Sequence, residues 1–333
     1  MTVVLTDNAN YSAIASAIRG KNGTQATYAP SEMAAAITAI PTGSATLGTK
    51  SITENGTYDA TDDSLDGYSQ VTVSVPSGGG GGNEDGIIAR SLSVIHNSTA
   101  SRIGSAAFYQ YHGLTEVSFD ACEVIWSSAF YSCNSLTTVS FPTCKSVREQ
   151  AFIFCSQLSA ANFPMCEHVY NGAFYRCSGL TTASFPMCSW IEATAFSNCK
   201  SLTTAYFPIA AYVGGSAFID CVNLLSAYFP SCKSIEQSAF MRCSNISEAF
   251  IPRVSYISMY AFMGCYRLLS LNLTEASSVV KMNATTTFSY TPIAGYTSYT
   301  DGQLGSIYVP SSLYDAFISA SYWSAYSERF VSV

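Results

Sequence analysis

The chemistry-bearing residues of this chain are twelve cysteines and three histidines, His96, His112 and His168. Thiolate and imidazole hold zinc and carry out thiol catalysis, so their spacing decides what they can do. No C-x-x-C occurs, which argues against a zinc site and against thioredoxin-like exchange. No H-E-x-x-H and no G-x-S-x-G is present. Residues 43–51 loosely follow a phosphate loop, but Thr49 separates Gly48 from Lys50, and strands are expected where a helix should follow. The Gly78 to Gly82 run also lacks a strand–glycine–helix context. Asp59, Asp62, Asp63 and Asp66 form an acidic turn that could hold Ca²⁺, but their spacing is not that of an EF-hand loop, and a solvated turn accounts for them better. No catalytic residue, metal ligand or cofactor site emerges, and the chain reads as non-enzymatic.

The cysteines are periodic, and the period explains them. An Ala-Phe pair returns every 22 residues, eight times, from Ala107-Phe108 to Ala261-Phe262. A fixed period of this size marks stacked units. Seven cysteines (133, 155, 177, 199, 221, 243 and 265) stand three residues after the Phe. The other five (122, 144, 166, 188 and 232) stand fourteen after it. Where the columns lack Cys they carry Tyr111, Ala210, Val254 and Ala276, none of which ligates zinc or forms a disulfide. Small buried apolar thiols are the simplest reading. Disulfides fit less well, because same-column neighbours one rung apart have parallel Cβ vectors.

Each unit places Leu or Ile six residues after the Phe, apolar residues nine and eleven after, and a β-branched residue seventeen after. The alternation at nine and eleven predicts a short strand with one buried face. Pro follows at 142, 164, 186, 208, 230 and 252 and should end that strand. The β-branched position predicts a second extended segment. The A-F-x-x-C stretch is too short for an α-helix and reads as a 3₁₀ turn. The order L-x-x-L-x-L-x-x-C-x-x-I is the leucine-rich-repeat pattern with aromatics substituted into it. The expected fold is therefore mainly β: a leucine-rich-repeat solenoid of eight 22-residue repeats, preceded by a short helical hairpin and a small β module.

Outside the repeats, residues 1–42 read as two short helices, capped near Asn8 or Asn10 and stopped by Gly20 and Pro41. Residues 43–76 read as strands, Lys50–Thr53 and Tyr68–Val75, with a turn at Glu54-Asn55-Gly56. Residues 77–86 are a glycine-rich linker, 87–280 the repeats and 281–333 a C-terminal cap. In the cap, Ile307-Tyr308-Val309-Pro310 echoes the strand-plus-Pro unit. Ser312 with Asp315 resembles a capping box, and Trp323 is expected as a lid over the last rung. Only 11% of residues are charged and the net charge is −7 with no basic run, so nucleic-acid binding lacks its electrostatic footprint. No apolar stretch has the length of a membrane helix, and the first residues do not read as an export signal.

What varies between repeats is the candidate functional signal. Ten residues after the Phe, outward on the main strand, stand Tyr206, Tyr228 and Phe250 in three successive repeats. Trp126, His168, Tyr170, Trp190, Tyr212 and Tyr256 flank the β-branched position. Exposed aromatics beside polar residues suit carbohydrate or protein recognition. Strand propensity alone also places Tyr outward.

The repeat C-x-x-L-x-x-V-x-F-P-x-C-x-x-I-x-x-x-A-F, as in Cys133 to Phe152, resembles the BspA-like (Treponema-type) leucine-rich repeats over about 87–280. The segment A-I-R-G-K-N-G-T…P-S-E-M-A-A-A-I, with I-T-E-N-G-T-Y-D-A…V-T-V-S-V after it, looks like modules at the front of phage and prophage tail proteins of Firmicutes. The first resemblance implies surface or secreted adhesins without catalytic residues. The second implies an attachment module that contacts other tail proteins through residues 1–76. Together they imply a phage tail or baseplate adhesin, assembled in the bacterial cytoplasm and carried on the virion. Its partner would be a host-surface glycan or protein, without membrane insertion and compatibly with a homo-oligomer. The alternative is a bacterial cell-surface or secreted adhesin, and an enzyme is the remote one.

Overall fold

The structure is a computed structural model that describes residues 93–333 in full and the backbone of the strands Leu47–Ile52 and Gly67–Val73. The expected helices in 1–42, the acidic turn and the glycine linker lie outside the described residues.

Each repeat makes one rung with two short strands. The front strand sits eight to ten residues after the Phe, and eleven front strands follow one another from Val94–Asn97 to Phe330–Ser332. They pair in parallel, with each residue opposite its equivalent one repeat on, as in Ala183 opposite Ala205, except at two interruptions, between Thr138–Ser140 and Ala160–Asn162 and between Thr204–Tyr206 and Ser226–Tyr228. Nine two-residue rear strands, from Arg102–Ile103 to Lys281–Met282, form one continuous parallel sheet. Pro after the front strand removes the N–H that would extend pairing around the corner.

The third side of the rung differs from expectation. The Ala-Phe segment is a run of turns, not a 3₁₀ helix. The residues two before and two after the Phe are left-handed in every repeat, with φ of 55–75° from Gln110 to Gly264. This alternation turns successive N–H groups in opposite directions. Phe130 N–H donates to Ala151 of the next rung at 2.7 Å, whereas Tyr131 N–H donates back to Ser128 at 3.1 Å. A regular helix would direct every N–H along its own axis and leave the rungs unpaired here.

The core is built of two phenylalanine stacks. Phe108, Phe130, Phe152, Phe174, Phe196, Phe218, Phe240, Phe262 and Phe288 lie face to face with centroids 5.0–5.7 Å apart. Phe119, Phe141, Phe163, Phe185, Phe207 and Phe229 form the second stack at 5.2–6.0 Å. Edge contacts such as Phe152 to Phe163, at 6.0 Å, join the two.

The described stack is longer than eight rungs. One rung precedes the first Ala-Phe, and two front strands, Ser306–Val309 and Phe330–Ser332, follow the last. Insertions hide the late rungs: Phe288 takes the Phe place 26 residues after Phe262, and Ser270 pairs with Ser306. The two strands expected in 43–76 are present as Leu47–Ile52 and Gly67–Val73, and the turn expected at Glu54-Asn55-Gly56 lies outside the described residues. They pair in parallel, and the second continues to His96 of the front ladder. At the far end Trp323 packs 5.9 Å from Phe288 and donates from Nε1 to Val280, the lid expected of it. The capping box is not formed: Leu313 is the N-cap of the helix Tyr314–Ser319, with no side-chain cap.

Candidate functional site

The cysteines have a definite role in this architecture. Each of the seven three after the Phe donates its Sγ–H to the carbonyl of the preceding rung's Phe, at 3.0–3.2 Å. Each of the other five donates to the carbonyl two residues on, at 3.2–3.4 Å. All twelve are free and buried. They do more than fill space: each gives a backbone carbonyl a weak hydrogen bond, buried in the first column and part-buried in the second. Burial pushes the thiols of Cys144, Cys188 and Cys232 up to about 12, and that of Cys122 to about 11. Burial raises the thiols of Cys199 and Cys243, which stack on Cys221. Such thiols are poor nucleophiles. Among the described residues no group of three His, Cys, Asp or Glu could hold a metal ion. None of their helices is long and apolar enough to cross a membrane.

On the rear ladder, five of the expected binding residues come together. The outward columns there are the positions before and after the β-branched residue. In the second column Trp126, Arg148 and Tyr170 follow one another, with the Arg148 guanidinium 5.2 Å from the Trp126 ring and 4.3 Å from the Tyr170 ring. Tyr170 stacks sideways on His168 at 3.9 Å, and His168 meets Trp190 at 6.4 Å. Trp190 then stacks on Tyr212 at 4.3 Å. The result is one diagonal stripe over five rungs. His168 Nε2 lies 2.9 Å from Glu192 Oε1. Burial and the carboxylates of Glu236 and Glu192 raise the Tyr212 hydroxyl's pKa. Burial opposes ionisation of Glu149, but its own N–H, the Ser127 hydroxyl and the Arg148 charge together hold it below the usual carboxylate range. Tyr256 stands apart, hydrogen-bonded to Ser258 and Asn283.

The front group divides. Tyr228 and Phe250 stack at 5.1 Å, while the front sheet is interrupted between Tyr206 and Tyr228. The interruption falls at Leu225, 56% exposed. Its column carries hydroxyls that donate to the carbonyl one rung back at Thr115, Thr137, Ser159, Thr181, Thr203 and Ser247, and a second leucine at Leu269, where the sheet stays paired. A leucine there cannot donate.

A third row was not read from the sequence. Tyr109 stacks on Tyr131 at 4.5 Å, Tyr131 meets Phe154, Phe154 meets Tyr175, and Arg176 lies over both Phe154 and Tyr175. Tyr109, Tyr131 and Tyr175 stand one residue after the Phe, and Phe154 stands two after, where Ile153 interrupts the column.

The leucine-rich pattern, the parallel register and the stacked Phe columns coincide with a known repeat. The BspA type leucine-rich repeat region matches residues 90–203 and 167–293, in six copies. The chain belongs to the BspA-type leucine-rich repeat family. Among solved structures this BspA-type chain is similar to a leucine-rich repeat protein of T. pallidum at 23% identity, over 53% of this chain and 78% of that one, with TM-score 0.40. It is similar also to a leucine-rich cell surface protein of Faecalibacterium prausnitzii at 18% identity, over 85% and 86%, with TM-score 0.42. A leucine-rich repeat protein of Bacteroides ovatus matches at 17% identity, over 86% and 92%, with TM-score 0.33. No curated protein matches the chain.

Proposed function

We propose that this BspA-type protein is a non-enzymatic adhesin that binds a host-surface glycan or protein through the outer faces of its solenoid. One observation carries the reading: the residues that vary between repeats gather into a continuous stripe, Trp126–Arg148–Tyr170–His168–Trp190–Tyr212. Packing holds the inward positions alike from rung to rung and leaves solvent-facing ones free to vary, so the support lies in the variable aromatics being gathered into one stripe rather than scattered. Tyr206, Tyr228, Phe250 and Tyr256 are secondary candidates on the same grounds.

The finer reading is a phage tail or baseplate receptor-binding protein, attached to other tail proteins through residues 1–76 and located on the virion. It is supported by the resemblance of that segment to the front of phage tail proteins. A bacterial cell-surface adhesin is the competing assignment. Purified virions that contain the chain would support the first, and the chain on uninfected cells would overturn it in favour of the second. For the binding surface, the full chain should bind host cells. Joint substitution of Trp126, Tyr170, Trp190 and Tyr212 by Ser should abolish that binding while the fold survives by circular dichroism. Undiminished binding would remove the stripe as the site.

A further inference from the structure

A stripe of stacked rings has little free ring face, because each ring covers its neighbour. Tyr170 lies between Arg148 and His168, and Trp190 between His168 and Tyr212. Trp126 is the exception. Arg148 approaches its ring, and no second ring or cation does. In the preceding rung the equivalent position is Gly104, and a Cβ built there would meet nothing within 4 Å. Trp126 N–H donates to Ile103 at 3.0 Å, which fixes the tryptophan to the Gly104 rung. The indole is 39% exposed. The sequence thus leaves a ring-sized notch where the column would otherwise continue.

The notch has a charge character. Arg102 opens the rear strand Arg102–Ile103 and Gly104 follows its end; both are exposed, on either side of the buried Ile103. Arg102 is exposed and makes no hydrogen bond or ion pair among the described residues. The nearby acids are engaged: Glu123 pairs with Lys145 at 3.2 Å, and Glu149 accepts from Ser127 at 2.8 Å. The other end of the stripe is acidic, with Glu192 and Glu236 beside Tyr212. An anionic ligand is therefore drawn to the Trp126 end.

The geometry points to a subsite at Trp126, Gly104 and Arg102 for a pyranose that carries a carboxylate, a uronic acid unit of a surface glycan. The C–H face of the sugar would lie on the indole, and its carboxylate would meet the guanidinium as a charge-assisted pair. This assignment rests on the adhesin reading for its biological setting, but its chemistry can be tested alone.

The test titrates the full chain with methyl β-glucuronide and, separately, with methyl β-glucoside, following the indole N–H signals by NMR. Trp126 is assigned among the three tryptophans by Trp126→Phe. The Trp126 signal should move saturably with the glucuronide, and the glucoside should bind about tenfold more weakly, a difference of ~1.4 kcal/mol. Gly104 is not in the left-handed region, so Gly104→Tyr is unstrained and fills the notch; it should abolish the response with the fold intact. Arg102→Gln should bring the glucuronide down to the glucoside's affinity. A Trp126 signal that never moves, or that moves equally in Gly104→Tyr, overturns the subsite. Host-cell binding separates the two readings. If the parent binds cells while glucuronide never moves its Trp126 signal, the subsite falls and the adhesin stands. If the parent binds no cells while glucuronide shifts Trp126, the adhesin falls and the subsite stands.

Discussion

A buried thiol bonded to a carbonyl is stable only as a thiol, and that gives the cysteine columns a pH signature. The thiols of Cys144, Cys188 and Cys232 are raised from an ordinary 9.0 to about 12 in the folded chain. Below pH 9 both folded and unfolded thiols are protonated, so their stabilisation is fully present. Between pH 9 and pH 12 the unfolded chain loses protons that the folded chain keeps. Each thiol then subtracts ~1.4 kcal/mol of stability per pH unit. Urea unfolding should therefore give a plateau below pH 9 and a steep fall above it. Replacing those three thiols by Ser keeps a donor for the carbonyl and removes the ionisation, and should make the fall shallower by ~4 kcal/mol per pH unit. Parallel slopes for parent and variant would show that the thiols ionise alike in both states. A companion measurement is thiol titration: no cysteine should react with an aromatic disulfide reagent at pH 8 while folded, and all twelve should react in denaturant.

At the scale of the element, each ladder has a place where one residue departs from its column. On the front it is Leu225, a leucine in the mostly hydroxyl column, at one of the two breaks in the front sheet. Leu225→Thr should restore a donor to the Thr203 carbonyl, as Thr203 donates to Thr181 at 3.1 Å, and stabilise the fold by ~1 kcal/mol in urea unfolding. On the rear it is Gly214, where a Cβ would come within 2.6 Å of the Ala193 nitrogen and the Glu192 carbonyl carbon. Both contacts are to backbone, which must shift to admit the methyl group, so Gly214→Ala should destabilise by roughly 1–3 kcal/mol, seen as a lower Tm. These positions explain what was legible in the sequence. Inward columns repeat because every rung meets the same neighbours, so the solenoid, the strands and the buried cysteines could be read directly. Outward contacts depend on what the next rung carries. Arg148 joins Trp126 to Tyr170, but as a cation it was invisible to a search for aromatics. Tyr206 and Tyr228 are evenly spaced in sequence, yet the break at Leu225 lies between them. The turn at the Ala-Phe pair was misread because its left-handed residues are mostly Ser, Gln, Asn and Arg, not Gly.

In the whole molecule, stability passes from rung to rung through the two Phe stacks, so the ends are where it can be lost. The C-terminal end is closed by Trp323, which packs on Phe288, Phe317 and Phe330 and donates to Val280. Tyr326 adds an edge contact to Phe288 and a hydrogen bond to Thr285. Trp323→Ala should cost roughly 3–5 kcal/mol locally, enough to open the last rungs. Interior rungs keep a neighbour on both sides, and the loss does not reach them unless the whole stack melts together. Hydrogen exchange should therefore rise first in Lys281–Met282, Ser306–Val309 and Phe330–Ser332, while amides of Val124–Ile125 and Glu116–Phe119 keep their parental protection. The Trp126 end would then retain any ligand response it has in the parent. Equal acceleration along the chain would instead mean that the Phe stacks bind all rungs into one cooperative unit, with Trp323 stabilising the glycine notch from the opposite end.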